Sequence, residues 1–243
     1  VVERSTPPAR NRGYTAEVFK RGLKWISRGG WIADLPGRFP AAPQKERIEA
    51  IAAANHDRLG PQHLAPEYEL PEVKYTPRDV SSPGFQGDLY AWLVMQRKPQ
   101  TVVEFGSGFG VSGMYFAAGL EANRSGHLYS FEINDSWADV AERSISELSS
   151  RFTLTRGAFE DHVGTVPGPI DLAFVDGIHT YDFALEQWKI LQPLMSPGGL
   201  VLFDDITYGQ GMHEAWLEIG KSDAVAGAVE FRRNSRLGLV ECR

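Results

Sequence analysis

The chain has 243 residues, 42% of them hydrophobic, and carries 31 acidic against 25 Lys or Arg side chains, for a formal charge of −6. That is enough apolar material for one large α/β core, while an acidic balance with no long basic run argues against nucleic acid as the main partner. The lone cysteine, Cys242, allows no internal disulfide, no run of about 18 apolar residues offers a membrane span, and the opening VVERSTPPAR has no apolar signal core, so the expected location is cytoplasmic.

In chain order, residues 1–13 read as a lead without periodic pattern. From Thr15, Val18, Phe19, Leu23 and Ile26 fall on one helical stripe, and Gly29 and Gly30 end it. Pro43 opens a second predicted helix carrying Ile48, Ile51 and Leu59, which stops at Gly60. Five prolines between 61 and 83 predict an extended connection. A third helix spans roughly 85–97. Residues 1–83 are therefore expected to form a helical N-terminal extension, serving as a lid or as a surface for a second subunit.

From Thr101 the pattern alternates. TVVEF, HLYSFEI, FTLTR, IDLAFVD and GLVLFDD read as strands, separated by helical stretches at 109–123, 135–150 and 180–195, with another at 211–221. VEFRR and LGLVEC, joined by the turn NSR, predict an antiparallel hairpin at one edge. The alternation predicts one α/β domain over 84–243, a doubly wound, Rossmann-like parallel sheet. Ligands of such sheets sit at the carboxyl ends of the strands, and those ends carry the candidate residues.

The first strand runs into Gly106, Ser107, Gly108, Phe109 and Gly110. Glycines there accept positive φ and let a ligand lie against bare backbone at a helix start. The dinucleotide pattern G-x-G-x-x-G fails, because its third glycine would be Val111. Glu104, two residues before Gly106, suits an ammonium group better than a pyrophosphate. Glu132 ends the second strand, where a carboxylate can grip ribose hydroxyls. After the third strand, Phe159 is a candidate to flank an adenine, with Glu160 or Asp161 as acceptor for its amino group.

Asp176 ends the fourth strand, and Asp204 and Asp205 end the fifth. Carboxylates so close repel unless something compensates them. Two readings follow: the three hold Mg²⁺, which oxygen ligands suit, or one caps a helix while another pairs with a nearby Arg or Lys. His179 is the first candidate for general base, His213 a weaker one, and Tyr181 and Tyr208 flank the same mouth. No G-x-S-x-G or Cys/His zinc spacing occurs.

Over roughly 100–243, VVEFGSGFG, the acid of SFEIND, VDGIHTY and GGLVLFDD resemble the class I S-adenosylmethionine-dependent methyltransferases. The resemblance implies a seven-stranded sheet with a reversed last strand. It also implies that Glu104, Gly106, Ser107, Gly108 and Gly110 hold the methionine moiety, that Glu132 holds the ribose, and that Asp176 lies at the cofactor and catalytic centre. VDGIHTYD and GGLVLFDD are most similar to the small-molecule O-methyltransferases, some of which use a divalent metal. The N/D-P-P-F/Y motif of amino-group methylation is replaced by VDGI. The rivals are a nicotinamide-dependent oxidoreductase and a non-catalytic module that keeps the fold.

Overall fold

The computed structural model describes residues 22–63, 74–232 and 236–243. Strand β1 (Leu23–Ser27) comes first, then a 3₁₀ turn at Trp31–Asp34 and helix α1 (Lys45–Arg58). Two short strands, β2 (Gln62–His63) and β3 (Lys74–Tyr75), pair with each other. Next come a single turn α2 (Pro77–Val80), closed by a Thr76/Asp79 capping box, and helix α3 (Gly84–Arg97).

The alternating part follows as predicted: β4 (Thr101–Phe105), α4 (Val111–Asn123), β5 (His127–Glu132), α5 (Asp135–Ser146), β6 (Phe152–Arg156), a short α6 (Phe159–His162), β7 (Ile170–Val175), α7 (Tyr181–Leu191), β8 (Met195–Phe203), α8 (Gln210–Gly220), β9 (Val225–Phe231) and β10 (Leu237–Cys242). The sheet has eight strands in the order β1-β9-β10-β8-β7-β4-β5-β6. Strands β4 to β8 pair in parallel. The last strand, β10, is reversed and lies antiparallel between β8 and β9.

The eighth strand corrects the sequence reading. Residues 15–21 of the expected first helix lie outside the described residues, and Leu23–Ser27 is a strand antiparallel to β9, with Lys24 opposite Glu230. A short apolar run fits either period. Here the open edge of β9 decides, because its unpaired backbone groups accept another strand. Leu23 and Trp25 pack on one face of the sheet and Ile26 on the other. The Lys24 ammonium adds a 3.1 Å ion pair to the buried Glu230.

Two apolar layers enclose the sheet. On one face α1, α3 and α4 cover Val102, Leu128, Phe174 and Leu202. On the other, α6, α7 and α8 cover Phe105, Phe131, Val175 and Phe203. Neighbours in register across parallel strands share a face, so Glu104, Phe174 and Leu202 line up under α3 and α4. Helix α4 is buried from Val111 to Leu120, and α3 closes onto it at Gly119. A Cβ there would lie 2.9 Å from the Val94 side chain and 3.0 Å from the Ala91 carbonyl oxygen. Gly119→Leu is therefore expected to force the helices apart and cost about 1–3 kcal/mol, read as a lower denaturant midpoint in urea.

Candidate active site

The site begins where β4 leaves the core. Gly106 has φ 81°, and a Cβ on it would collide with the Asp176 carbonyl oxygen, so only glycine lets the turns after β4 and β7 lie side by side. Gly108 has φ 53° and nothing within 4 Å of its Cβ position, leaving bare backbone that faces open space. Its N–H donates to Glu132 Oε2 at 2.7 Å. The Gly106 and Ser107 amides donate to the Phe131 carbonyl at 2.9 and 3.1 Å. The turn is thus stitched to the end of β5.

Glu132 also accepts from the Asn134 amide at 2.8 Å. Asn134 in turn caps α5, its side-chain oxygen accepting from the Ser136 and Trp137 amides. Burial pushes the Glu132 carboxyl up to about 7, although the backbone N–H groups of Asn134 and Gly108 favour its charged form. Glu104 is fully buried beneath the turn. The Ser130 hydroxyl donates to its Oε2 and the Ser107 hydroxyl donates to Ser130 Oγ at 2.9 Å. Its other oxygen, Oε1, has no hydrogen-bond partner among the described residues. Burial raises this carboxyl too, against the pull of three serine hydroxyls.

Phe159 sits elsewhere than an adenine-flanking role requires. It is buried in the core, stacked on Phe105 at 3.9 Å between centroids and edge-on to Phe131. The period-two alternation of β4 and β5 turns both of those rings toward it. Glu160 accepts from Gln187 at 3.0 Å. The sequence reading missed Phe109, Trp137 and Val140, an apolar cluster beside the turn, onto which Leu59 and Val80 of the N-terminal region pack. The Asn134 side-chain amide also donates to the His63 carbonyl at 3.2 Å.

At the ends of β7 and β8 the sheet does bring Asp176, Asp204, Asp205 and His179 together. His179 Nε2 lies 3.5 Å from Asp176 Oδ1 and 3.7 Å from Asp205 Oδ2. Arg236 Nε lies 2.8 Å from Asp205 Oδ1. Asp204 Oδ1 accepts the Asp205 amide at 2.8 Å, which helps to hold Asp205 at the uncommon φ of 52°. Among the described residues no group of three His, Cys, Asp or Glu side chains could hold a metal ion. The compensating charge at Asp205 is the guanidinium, the ion pair of the second reading, whereas among the described residues no acidic side chain caps α7 or α8. Arg236 ends the predicted NSR turn; nothing in the sequence pattern marked it as reaching this cluster. Burial holds the His179 imidazole below its ordinary value, with Asp205 pulling it up and Arg236 down. His213 Nδ1 lies 3.2 Å from the Ile206 carbonyl oxygen.

Known proteins to which this chain is similar are described as methyltransferases. Residues 103–206 match a family described as a methyltransferase domain. A rhamnosyl O-methyltransferase of Mycobacterium leprae is 27% identical over 140 residues, 52% of this chain and 61% of that protein. An O-methyltransferase of Aspergillus hancockii is 24% identical over 123 residues, 49% of this chain and 48% of the relative. The chain thus spans about half to three fifths of the length of these relatives. In three dimensions it is similar to the O-methyltransferase TomG of Streptomyces achromogenes, solved with S-adenosylmethionine. The TM-score is 0.62 at 20% identity, covering 83% of this chain and 91% of that one. The Rossmann-like sheet with a reversed last strand, implied by the resemblance, is the fold found.

The Glu132 carboxyl titrates near 7 in the folded chain against an ordinary 4.5. Between those values the folded state holds the extra proton, so stability falls as pH rises. Comparing urea midpoints of wild type and Glu132→Gln at pH 5 and pH 8 should show the difference moving in favour of the variant at pH 8.

Proposed function

We propose that the chain is an S-adenosylmethionine-dependent methyltransferase acting on a hydroxyl oxygen of a small molecule, with His179 as proton acceptor. The observation that carries this reading is the glycine turn itself: bare backbone at Gly108 bonded to the strand-end acid Glu132, in a turn that lies beside the one carrying an imidazole flanked by carboxylates. The residues present fit the cofactor. The Gly106–Gly110 backbone and Ser107 would take its methionine end, and Glu132 the ribose hydroxyls. Glu104 supplies an acceptor with one oxygen still unpaired, in keeping with an ammonium nearby. When bound, the cofactor supplies an activated methyl group and a good leaving group.

The chain's own contribution is orientation, exclusion of water and one proton acceptor. His179, largely shielded, has its proton affinity lowered by burial, which favours the neutral imidazole able to take a hydroxyl proton. Asp176 and Asp205 position the ring and stabilise the imidazolium once it forms. Arg236 keeps the carboxylates from raising the imidazole's proton affinity too far. Magnesium does not fit this arrangement, since Asp205 is already paired with a guanidinium and His179 lies between the two acids; no step depends on it. We also infer that the end of α1 and the short α2 form a lid over the cofactor turn. The support is the packing of Leu59 and Val80 on Phe109 and Trp137.

A sugar, phenol or natural-product hydroxyl is the acceptor class we infer; of these, the sugar is the one that a relative's description, the rhamnosyl O-methyltransferase, supports. The nicotinamide reading lacks the third glycine, whose place is taken by Val111.

His179→Ala is expected to lower kcat about 10²–10⁴-fold with the S-adenosylhomocysteine Kd unchanged; an unchanged kcat would remove the base assignment. Because the imidazole must be neutral and burial lowers its proton affinity, the rate at saturating S-adenosylmethionine should fall only on the acid side of the ordinary imidazole range. Excess EDTA should leave the rate as it is. S-adenosylhomocysteine should bind more tightly at pH 8 than at pH 6, as Glu132 ionises, and Glu132→Gln should flatten that trend in a calorimetric titration.

A further inference from the structure

Among the described residues the exposed large hydrophobic side chains are Tyr208, at 58%, and Tyr181, at 36%. A scattered exposed ring needs no explanation, but these two belong to one mouth. Tyr181 opens α7, two residues after His179. Its Cβ lies 3.4 Å from the position a Cβ would take on Gly211, at the start of α8. Tyr208 precedes Gly211 by three residues, and its ring centroid lies 5.7 Å from that of His179.

Tyr208 is also held in place. Its amide donates to the Asp205 carbonyl at 2.7 Å. The Arg236 guanidinium lies over its ring, 5.6 Å from the centroid, while the same side chain pairs with Asp205. Tyr181 is fixed at its far end, its hydroxyl donating to Glu218 Oε2 at 2.7 Å. An exposed aromatic surface that is already ordered loses little further freedom when a ligand lands on it. Among the described residues the carboxylates of Asp176, Asp204 and Asp205 stand here against the Arg236 guanidinium, a balance that disfavours an anionic acceptor.

We propose that Tyr208, flanked by Tyr181, is the specificity platform for an uncharged ring. The acceptor hydroxyl sits on an aromatic or pyranose ring whose apolar face lies on Tyr208 while the hydroxyl faces His179. The proposal rests on the O-methyltransferase reading.

The test is calorimetry on the full chain saturated with S-adenosylhomocysteine. It is titrated separately with catechol, with methyl α-L-rhamnopyranoside and with sorbitol as an acyclic polyol. Catechol or the rhamnoside should bind and sorbitol should not; which of the two binds distinguishes an aromatic from a sugar acceptor. Tyr208→Ala should weaken the ring probe about tenfold or more, the scale of a lost aromatic stack. Tyr208→Phe should stay close to wild type, and S-adenosylhomocysteine affinity should be the same in all three proteins. Equal binding of the ring probe by Tyr208→Ala overturns the platform, as does binding of sorbitol on a par with the rings, or failure of both rings. If S-adenosylhomocysteine itself does not bind the wild type, the parent reading fails first, and the platform with it.

Discussion

The hydrogen bonds that tie the glycine turn to the end of β5 are the constraint on which the rest of the site depends. The Gly106 and Ser107 amides share the Phe131 carbonyl, and the Gly108 amide reaches Glu132. Three successive N–H groups are thus satisfied by the neighbouring strand instead of by helix α4. Each needs a partner because the turn is largely buried. The positive φ at Gly106 allows the geometry, and the contact with the Asp176 carbonyl brings the turn after β7 alongside. One local conformation thereby fixes the spacing between Glu132 and the His179 cluster.

That cluster shows how charge is balanced in a crowded corner. Three carboxylates at two adjacent strand ends are unfavourable alone. The chain answers with Arg236, which enters from just before β10, and with His179 from the loop after β7. Reversal of β10 is what makes this feasible. Lying antiparallel to β8, it begins at the carboxyl ends of the parallel strands, so the residue preceding it arrives at the mouth of the site. A parallel last strand would have delivered that guanidinium to the opposite end of the sheet.

The N-terminal region contributes at two distant places. β1 extends the sheet beyond β9, where Lys24 meets Glu230 and Trp216 donates to the same carboxylate at 3.2 Å. Farther along, Leu59 and Val80 cover Phe109, and His63 meets the cap of α5. The same stretch of chain therefore stabilises one edge of the fold and packs beside the glycine turn of the other half.

The sequence by itself determined the alternation from Thr101 onward, because period-two and period-3.6 apolar patterns are long and regular there, and it determined the glycine turn, because three alternate glycines after a buried strand leave few other conformations. It also placed Glu132, Asp176, His179, Asp204 and Asp205 at strand ends, since order along a doubly wound sheet dictates which end each occupies. Tertiary structure alone decided the remainder. Leu23–Ser27 became a strand because β9 offered an open edge, a fact 200 residues away in the chain. Phe159 went to the core because Phe105 and Phe131 both point at it, and a single aromatic in a loop carries no sign of its neighbours. Arg236 met Asp205 only because β10 runs backwards, and a long-range ion pair leaves no periodic trace in the sequence that makes it.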